Sequence, residues 1–317
     1  LLLITPNTCI VTLKSRNIPM KKIAIVGTGA VGGYYGGLLA RYGLDIHFLL
    51  RSDYEVARDK GLTIRTAREE FVLPVQAYIS PEKIGPCDLV IITLKSTAND
   101  VLPKLLNPLV QRHTHLLTLQ NGLGNIELLQ NLYPQNHITG GLCFVCINRV
   151  APAVFENYFS GYIEMGEARG SPTTELQQIV TWIKDAVSDC RLVDPLQEAL
   201  WRKLCWNIPF NGLSIAGGGI TTDKILANPI LVNRAWSLMR EIQAATIHPI
   251  PDDFLQLQFD NTRPMGAYRP SSLIDFEKGK PIEIEAIWGN PLREGLSRQI
   301  PMPELEKLYR ELTAICS

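Results

Sequence analysis

The sequence predicts an α/β chain in two parts, an N-terminal doubly wound sheet followed by an all-α C-terminal domain. Three observations predict it. Lys21–Arg51 reads as strand, glycine turn, helix, strand. Short apolar runs then alternate with helical spacing as far as Asp194-Pro195. Beyond that point only helical spacing remains, which places a hinge near Asp194 and gives domains 20–194 and 195–317.

Residues 1–19, LLLITPNTCIVTLKSRNIP, precede both. Their apolar part is interrupted by Thr, Pro and Asn, and the basic residues follow rather than precede it, so they do not form a signal peptide. Met20 stands just before the first strand, and residues 1–19 are expected to be a loose extension of a chain that naturally starts there.

Ile23–Val26 is a short apolar run of buried-strand type, followed by Gly27, Gly29 and Gly32 in the spacing G-x-G-x-x-G. Helical spacing follows (Val31, Tyr35, Leu38, Leu39, Tyr42) and stops at Gly43, after which Ile46–Leu50 forms the next strand. In such a unit the first glycine permits the tight turn and the second lets backbone approach a pyrophosphate. The third lets the helix pack closely on the sheet, with its first N–H groups facing the phosphates. The motif alone is weak, but with both strands and the helix in place it reads as a Rossmann-type dinucleotide unit.

NAD-binding units put an acid at the end of the second strand for the ribose hydroxyls. Here Leu50 is followed by Arg51, with no carboxylate until Asp53, and Asp45 begins the strand and so lies at its wrong end. An arginine suits a 2′-phosphate, so the expected cofactor is NADPH/NADP. The plainer reading of Arg51 is a solvated loop residue.

Further along, Asp53–Lys60 is helical, Leu62–Thr66 and Phe71–Ala77 are strand-like and Pro81–Gly85 is a turn. Asp88–Leu94 is a buried strand that delivers Lys95 at its C-terminal end, where ligands bind in open parallel sheets. Thr97–Leu109 reads as a helix. Leu116–Leu119 is a strand running into Gln120-Asn121-Gly122, which brings Asn121 to the same edge unless it is a plain Asn-Gly turn. Ile138–Asn148 and Val154–Glu164 are strands, Ser171–Ser188 a helix and Leu192–Val193 a last short strand. The helices expected beyond the hinge are Leu196–Ile215, Ile230–Ile247, Ser271–Lys278, Ile282–Gln299 and Pro303–Ile315.

In WRKLCWNIPFN, residues 201–211, Lys203, Asn207 and Asn211 lie four apart and form one polar stripe among apolar neighbours. A lysine and two asparagines facing a core must be paired or face a ligand. Pro209 is expected to kink the helix between the asparagines. SSLIDFEKGKPIE, residues 271–283, holds Ser272 and Glu283; alone, they would be read as a helix N-cap and a first-turn charge.

Composition sets limits. The 317 residues carry 31 basic and 31 acidic side chains, so no charge excess draws nucleic acid or an anionic membrane. No apolar run approaches the roughly 20 residues of a membrane span. Seven scattered cysteines suit reduced thiols in the cytoplasm. Cys143-x-x-Cys146 lies in a strand with no second pair to complete a zinc site, so it reads as buried thiols and no metal is expected.

Taken together, GTGAVGG (Gly27, Thr28, Gly29, Ala30, Val31, Gly32), Arg51, TLK ending at Lys95, QNG with Asn121, WRKLCWNIPFN, SSLIDFEKGKPIEIEAIWG and IPMP at 300–303 make the chain, from about Lys21 to its end, resemble the ketopantoate reductase family. The resemblance implies a Rossmann domain and a helical domain with the active site in the cleft between them, and NADPH-dependent reduction of ketopantoate to pantoate on the route to coenzyme A. It implies Lys203 as general acid, Asn207, Asn211 and Ser272 as substrate ligands, and Asn121 between nicotinamide and substrate. Lys95 falls beside the cofactor, and Glu283 near both the cofactor and Lys203. The partner is then a small 2-oxo acid, with a homodimer as the candidate assembly. The chain departs from the family in a shorter serine-to-acid spacing, in Ile282 where a threonine is common, in GLSIAGGG after Asn211, and in Pro291, which interrupts an expected helix. These departures surround the substrate, so another 2-oxo acid or a 3-hydroxy acid is the nearest rival, and a non-catalytic NADP-binding sensor the rival of another class.

Overall fold

The first element of the fold is the strand β1 (Lys22–Val26), buried along all but its first residue because KIAIV has little to offer water. The computed structural model describes residues 21–187 and 189–316, so the expected extension 1–19 and Met20 lie outside the described residues. The chain divides into two compact units, one of residues up to Gln120 with Leu128–Val193, the other of Asn121–Glu127 with Asp194 onward.

The first unit is built on one sheet of ten strands: β1, β2 (Asp45–Leu49), β3 (Leu62–Arg65), β4 (Glu70–Leu73), β5 (Gln76–Tyr78), β6 (Leu89–Ile92), β7 (His115–Thr118), β8 (Ile138–Ala151), β9 (Val154–Glu167) and β10 (Asp189–Leu192). Its order is β4-β3-β9-β8-β7-β6-β1-β2-β5, with β10 also on β9. From β5 to β8 every pairing is parallel, the doubly wound core that the sequence predicts. Past β8 the sheet turns mixed: β9 runs antiparallel to β8, and β3 antiparallel to β4.

The helix Ala30–Tyr42 nests against this sheet through its glycines. A Cβ on Gly33 would come within 2.1 Å of the Phe155 ring of β9, and one on Gly36 within 2.6 Å of Phe48 of β2. Only hydrogen fits at either position. The helix ends where the sequence places its stop, at Gly43 with φ 108°, whose N–H caps Ala40 and Leu39 carbonyls.

The second unit is helical. Leu196–Ala216 contributes Trp201, Leu204, Ile208, Phe210 and Leu213 to a core completed by Met239, Phe259, Trp288 and Leu308. Around it lie Thr222–Ala227, Pro229–Ala245, Asp252–Thr262, Ser271–Glu277, Asn290–Ser297 and Pro303–Cys316.

Several elements differ from the sequence expectation. Phe71–Ala77 is two strands, parted at Pro74, and Pro81–Ile84 is a short helix rather than a turn. Thr97–Leu109 is a 3₁₀ turn, Ser96–Val101, leading into the short helix Leu102–Leu106, because Pro103 cannot donate to a preceding α turn. Helices Asn125–Leu132, Thr222–Ala227 and Asp252–Thr262 were not expected; the last buries only Leu255, Phe259 and Thr262, a stripe too narrow to register as periodicity. The lysine helix, expected over Leu196–Ile215, spans Leu196–Ala216 with Pro209 inside it. Ile282–Gln299 is not one α-helix: Glu285–Gly289 is a π turn, followed by Asn290–Ser297. Cys143 and Cys146 are half-buried rather than buried, since β8 is only partly covered beyond Leu142.

The sequence expectation puts Asn121–Glu127 in the sheet domain, whereas the structure groups it with the helical unit. Leu123 explains it. Its side chain packs in the helical core and its N–H donates to the Ala286 carbonyl at 2.8 Å.

Candidate active site

The glycine turn after β1 has the form a phosphate cradle needs. Gly27 has φ 103°, and a Cβ there would lie 2.4 Å from the Leu94 backbone nitrogen, so no other residue fits. Thr93 Oγ1 donates to the Gly27 carbonyl at 2.6 Å and holds the turn in shape. Gly29 is exposed, with nothing nearer its Cβ position than the Gly27 carbonyl at 3.9 Å, so a ligand meets bare backbone. At Gly32 a Cβ would fall 2.3 Å from Thr93 Oγ1, and its absence seats the helix on the sheet. No side chain caps the helix N-terminus and no acid lies in its first turn, which includes Ala30 and Val31. An anion would be welcome there. Thr28 points its hydroxyl away from that role, donating to the Leu49 carbonyl at 2.9 Å.

Arg51 follows β2, is exposed, and has no hydrogen-bond or ion-pair partner among the described residues. The nearest carboxylate in sequence, Asp53, is 3% exposed and already occupied. It accepts from Arg149 Nη1 at 3.0 and 3.1 Å and from the Ala153 N–H at 2.9 Å. Ribose hydroxyls would find no acceptor free in it. Arg149 is a residue that sequence reading passed over, since 96 positions separate it from Asp53. Asp45 sits at the start of β2 and accepts from Gln76. Lys95 is exposed just past β6, as its position in DLVIITLK implies.

The polar residues of the helical unit form a second assembly. Lys203 Nζ donates to Asn121 Oδ1 at 2.9 Å across 82 residues of sequence. Two residues singled out separately in the sequence thus meet. Further along the same helix face, Asn207 is 9% exposed, and its amide makes no hydrogen bond among the described residues. Asn211, at 1%, is engaged: its Oδ1 accepts from the Ser272 N–H at 3.0 Å. Asn211 therefore caps the helix Ser271–Glu277 from outside, where its own N-cap, Pro270, offers no side-chain oxygen. The Ser272 hydroxyl, 4% exposed as a residue, has no partner among the described residues. Glu283 is buried at 4% just ahead of the π turn. Trp288 ties that turn to the lysine helix, its Nε1 donating to the Ile208 carbonyl at 3.0 Å.

Cys205 lies two positions from Lys203, and burial pushes its thiol up to about 12, so it is protonated near neutral pH and offers no thiolate. Among the described residues no cluster of His, Cys, Asp or Glu could hold a metal ion. No helix there is long and apolar enough to cross a membrane.

The family model described as Ketopantoate reductase PanE/ApbA matches residues 23–170, and the one described as Ketopantoate reductase PanE/ApbA C terminal matches 195–315. A 2-dehydropantoate 2-reductase of Nostoc sp. is 41% identical over 301 residues, spanning 92% of this chain and 94% of the relative. The crystal structure of 2-dehydropantoate 2-reductase from Geobacter metallireducens is 41% identical with a TM-score of 0.89, covering 92% of this chain and 99% of that one. That from Methylococcus capsulatus is 30% identical, with a TM-score of 0.86 over 93% of this chain and 96% of its own.

Proposed function

Because this chain belongs to the ketopantoate reductase family of oxidoreductases, we propose that it reduces 2-dehydropantoate to pantoate with NADPH, a step toward pantothenate and coenzyme A. The observation that carries the reading is the Lys203–Asn121 pair, a positioned ammonium in a helical unit, in a chain that also holds an open glycine cradle. When bound, NADPH supplies the hydride for the ketone carbon.

The chain's own residues do the rest. Backbone from Gly27 to Gly32 holds the pyrophosphate, Arg51 the 2′-phosphate, and Lys95 lies along the cofactor. An ammonium carries three N–H donors, of which Asn121 takes one. A second donates to the ketone oxygen and releases its proton as the alkoxide develops, so the charge is never left bare. Asn207 and Ser272, whose side-chain polar groups have no partner among the described residues, serve the substrate's carboxylate and hydroxyls, and Asn211 acts with them by fixing Ser272. Glu283 orients the lysine. The scattered thiols suit action in the cytoplasm, and a homodimer is the assembly to expect in solution.

The test is NADPH consumption followed by absorbance, with 2-dehydropantoate against a panel of small 2-oxo acids and NADH as the control. Turnover with 2-dehydropantoate and NADPH is expected. Turnover only with another oxo acid would mean that the shortened Ser272–Glu283 segment, where Ile282 is packed into the core, has moved specificity. Binding of NADPH with no oxidation of either nucleotide would support a sensor.

A further inference from the structure

The reading of Lys203 as proton donor raises the question of what keeps Asn121 against it. Asn121 sits on a loop with no regular structure, followed by two glycines, Gly122 and Gly124, both at positive φ. Such a loop is not stiff by itself. We propose that the turn Glu285–Pro291 is a clamp that sets the Asn121–Lys203 pair, with Asn290 as its positioning residue; the proposal rests on the role given to Lys203.

The clamp grips both backbone groups of Leu123. The Leu123 N–H donates to the Ala286 carbonyl at 2.8 Å, and Asn290 Nδ2 donates to the Leu123 carbonyl at 2.8 Å. Asn290 Oδ1 accepts from Arg293 Nη2 at 2.6 Å, which fixes the amide with its nitrogen toward Leu123. Both glycines are shaped to the contact. A Cβ on Gly122 would lie 2.2 Å from the Ala286 carbonyl oxygen, and one on Gly124 2.4 Å from Asn290 Nδ2. Asn125 Nδ2 then donates back to the Asn121 carbonyl at 2.9 Å, so the loop is tied on either side of Asn121's successor residues.

The Ala286 carbonyl is available because of how the helix is built. In the π turn the Asn290 N–H reaches back to the Glu285 carbonyl. The next N–H along would reach Ala286, but residue 291 is proline and has none. That carbonyl has no partner from the ladder and takes the Leu123 N–H instead. Trp288 anchors the same turn to Ile208, on the same helix as Lys203. Lysine helix, Trp288, Ala286, Leu123, Asn121 and Lys203 thus close into a ring of contacts.

Asn290→Asp keeps the shape of the side chain but presents only acceptors to the Leu123 carbonyl. Two readouts test it, the first without any substrate. In the unliganded chain the Leu123 amide should be protected from hydrogen exchange, and Asn290→Asp should speed its exchange at least about tenfold, the effect of losing one internal hydrogen bond. With 2-dehydropantoate, kcat should fall by about the same factor while the NADPH dissociation constant stays put. Combined with Asn121→Ala, the substitution should slow the enzyme no further than Asn121→Ala alone, because both act through one contact. Asn290→Ala repeats the series without adding a charge near Glu285. Unchanged Leu123 exchange in both variants, or losses that multiply with Asn121→Ala, would overturn the clamp. A wild-type chain that ignores 2-dehydropantoate would sink the substrate reading alone, and the exchange result would still decide the clamp.

Discussion

With NADPH as the proposed cofactor, Arg51→Gln should weaken its binding and change almost nothing else. Arg51 is exposed and has no partner among the described residues, so its removal strands no buried group. The stability change should stay within about 0.5 kcal/mol, as for an ordinary surface substitution. A charge-assisted hydrogen bond to phosphate contributes about 1.5–3 kcal/mol, which at about 1.4 kcal/mol per decade weakens NADPH roughly 10- to 150-fold. NADH, lacking the phosphate, should bind as before. Asp53→Asn is the contrasting substitution. Asp53 accepts two hydrogen bonds from Arg149 and one from the buried Ala153 N–H. Weakening them should lower stability by roughly 1–3 kcal/mol and leave the cofactor preference alone. Titration of both nucleotides into each variant, with thermal melts alongside, separates the effects. If Arg51→Gln weakened NADPH and NADH equally, or neither, the 2′-phosphate would be held elsewhere.

Three further outcomes follow from the geometry. Lys203→Ala should lower kcat by about 10²–10⁴-fold, the usual contribution of a general acid, with NADPH binding intact in a fluorescence titration; full turnover would mean the proton comes from another donor. His115 is buried against Thr139 and Glu167, and burial pushes its imidazole from 6.5 down to about 4 against the pull of Glu167. Its folded pKa is depressed, so the unfolded chain takes up the proton first as pH falls. Stability is full above about 6.5 and declines toward about 4, by up to about 3 kcal/mol, and His115→Gln should flatten that part of a denaturation profile taken against pH. Burial also lifts the thiols of Cys87 to about 11 and of Cys190 and Cys205 to about 12, so a disulfide reagent near neutral pH should leave all three unmodified until the protein unfolds.

What the sequence discloses and what it hides divides by distance along the chain. The stretch from β1 to Arg51 is legible because its logic is local: a buried strand, a glycine whose φ of 103° no other residue adopts easily, a helix ended by Gly43. The lysine stripe is legible too, since residues four apart share a helix face, but its partners are not. Nothing near Lys203 announces that Asn121 will accept its hydrogen bond, or that Asn211 will spend its carbonyl on Ser272. The same limit explains why Asn121–Glu127 was placed with the sheet: the strand before it argues locally, whereas the bond from Asn290 to Leu123 spans 167 residues. Pro291 is the sharpest case. Read locally it is a flaw in a helix, because proline removes a donor. In three dimensions the missing donor leaves the Ala286 carbonyl without a ladder partner, and the Leu123 N–H takes it. A helix made regular by Pro291→Ala would offer that carbonyl a competing donor from its own chain, so the irregular turn is the form that suits a held loop.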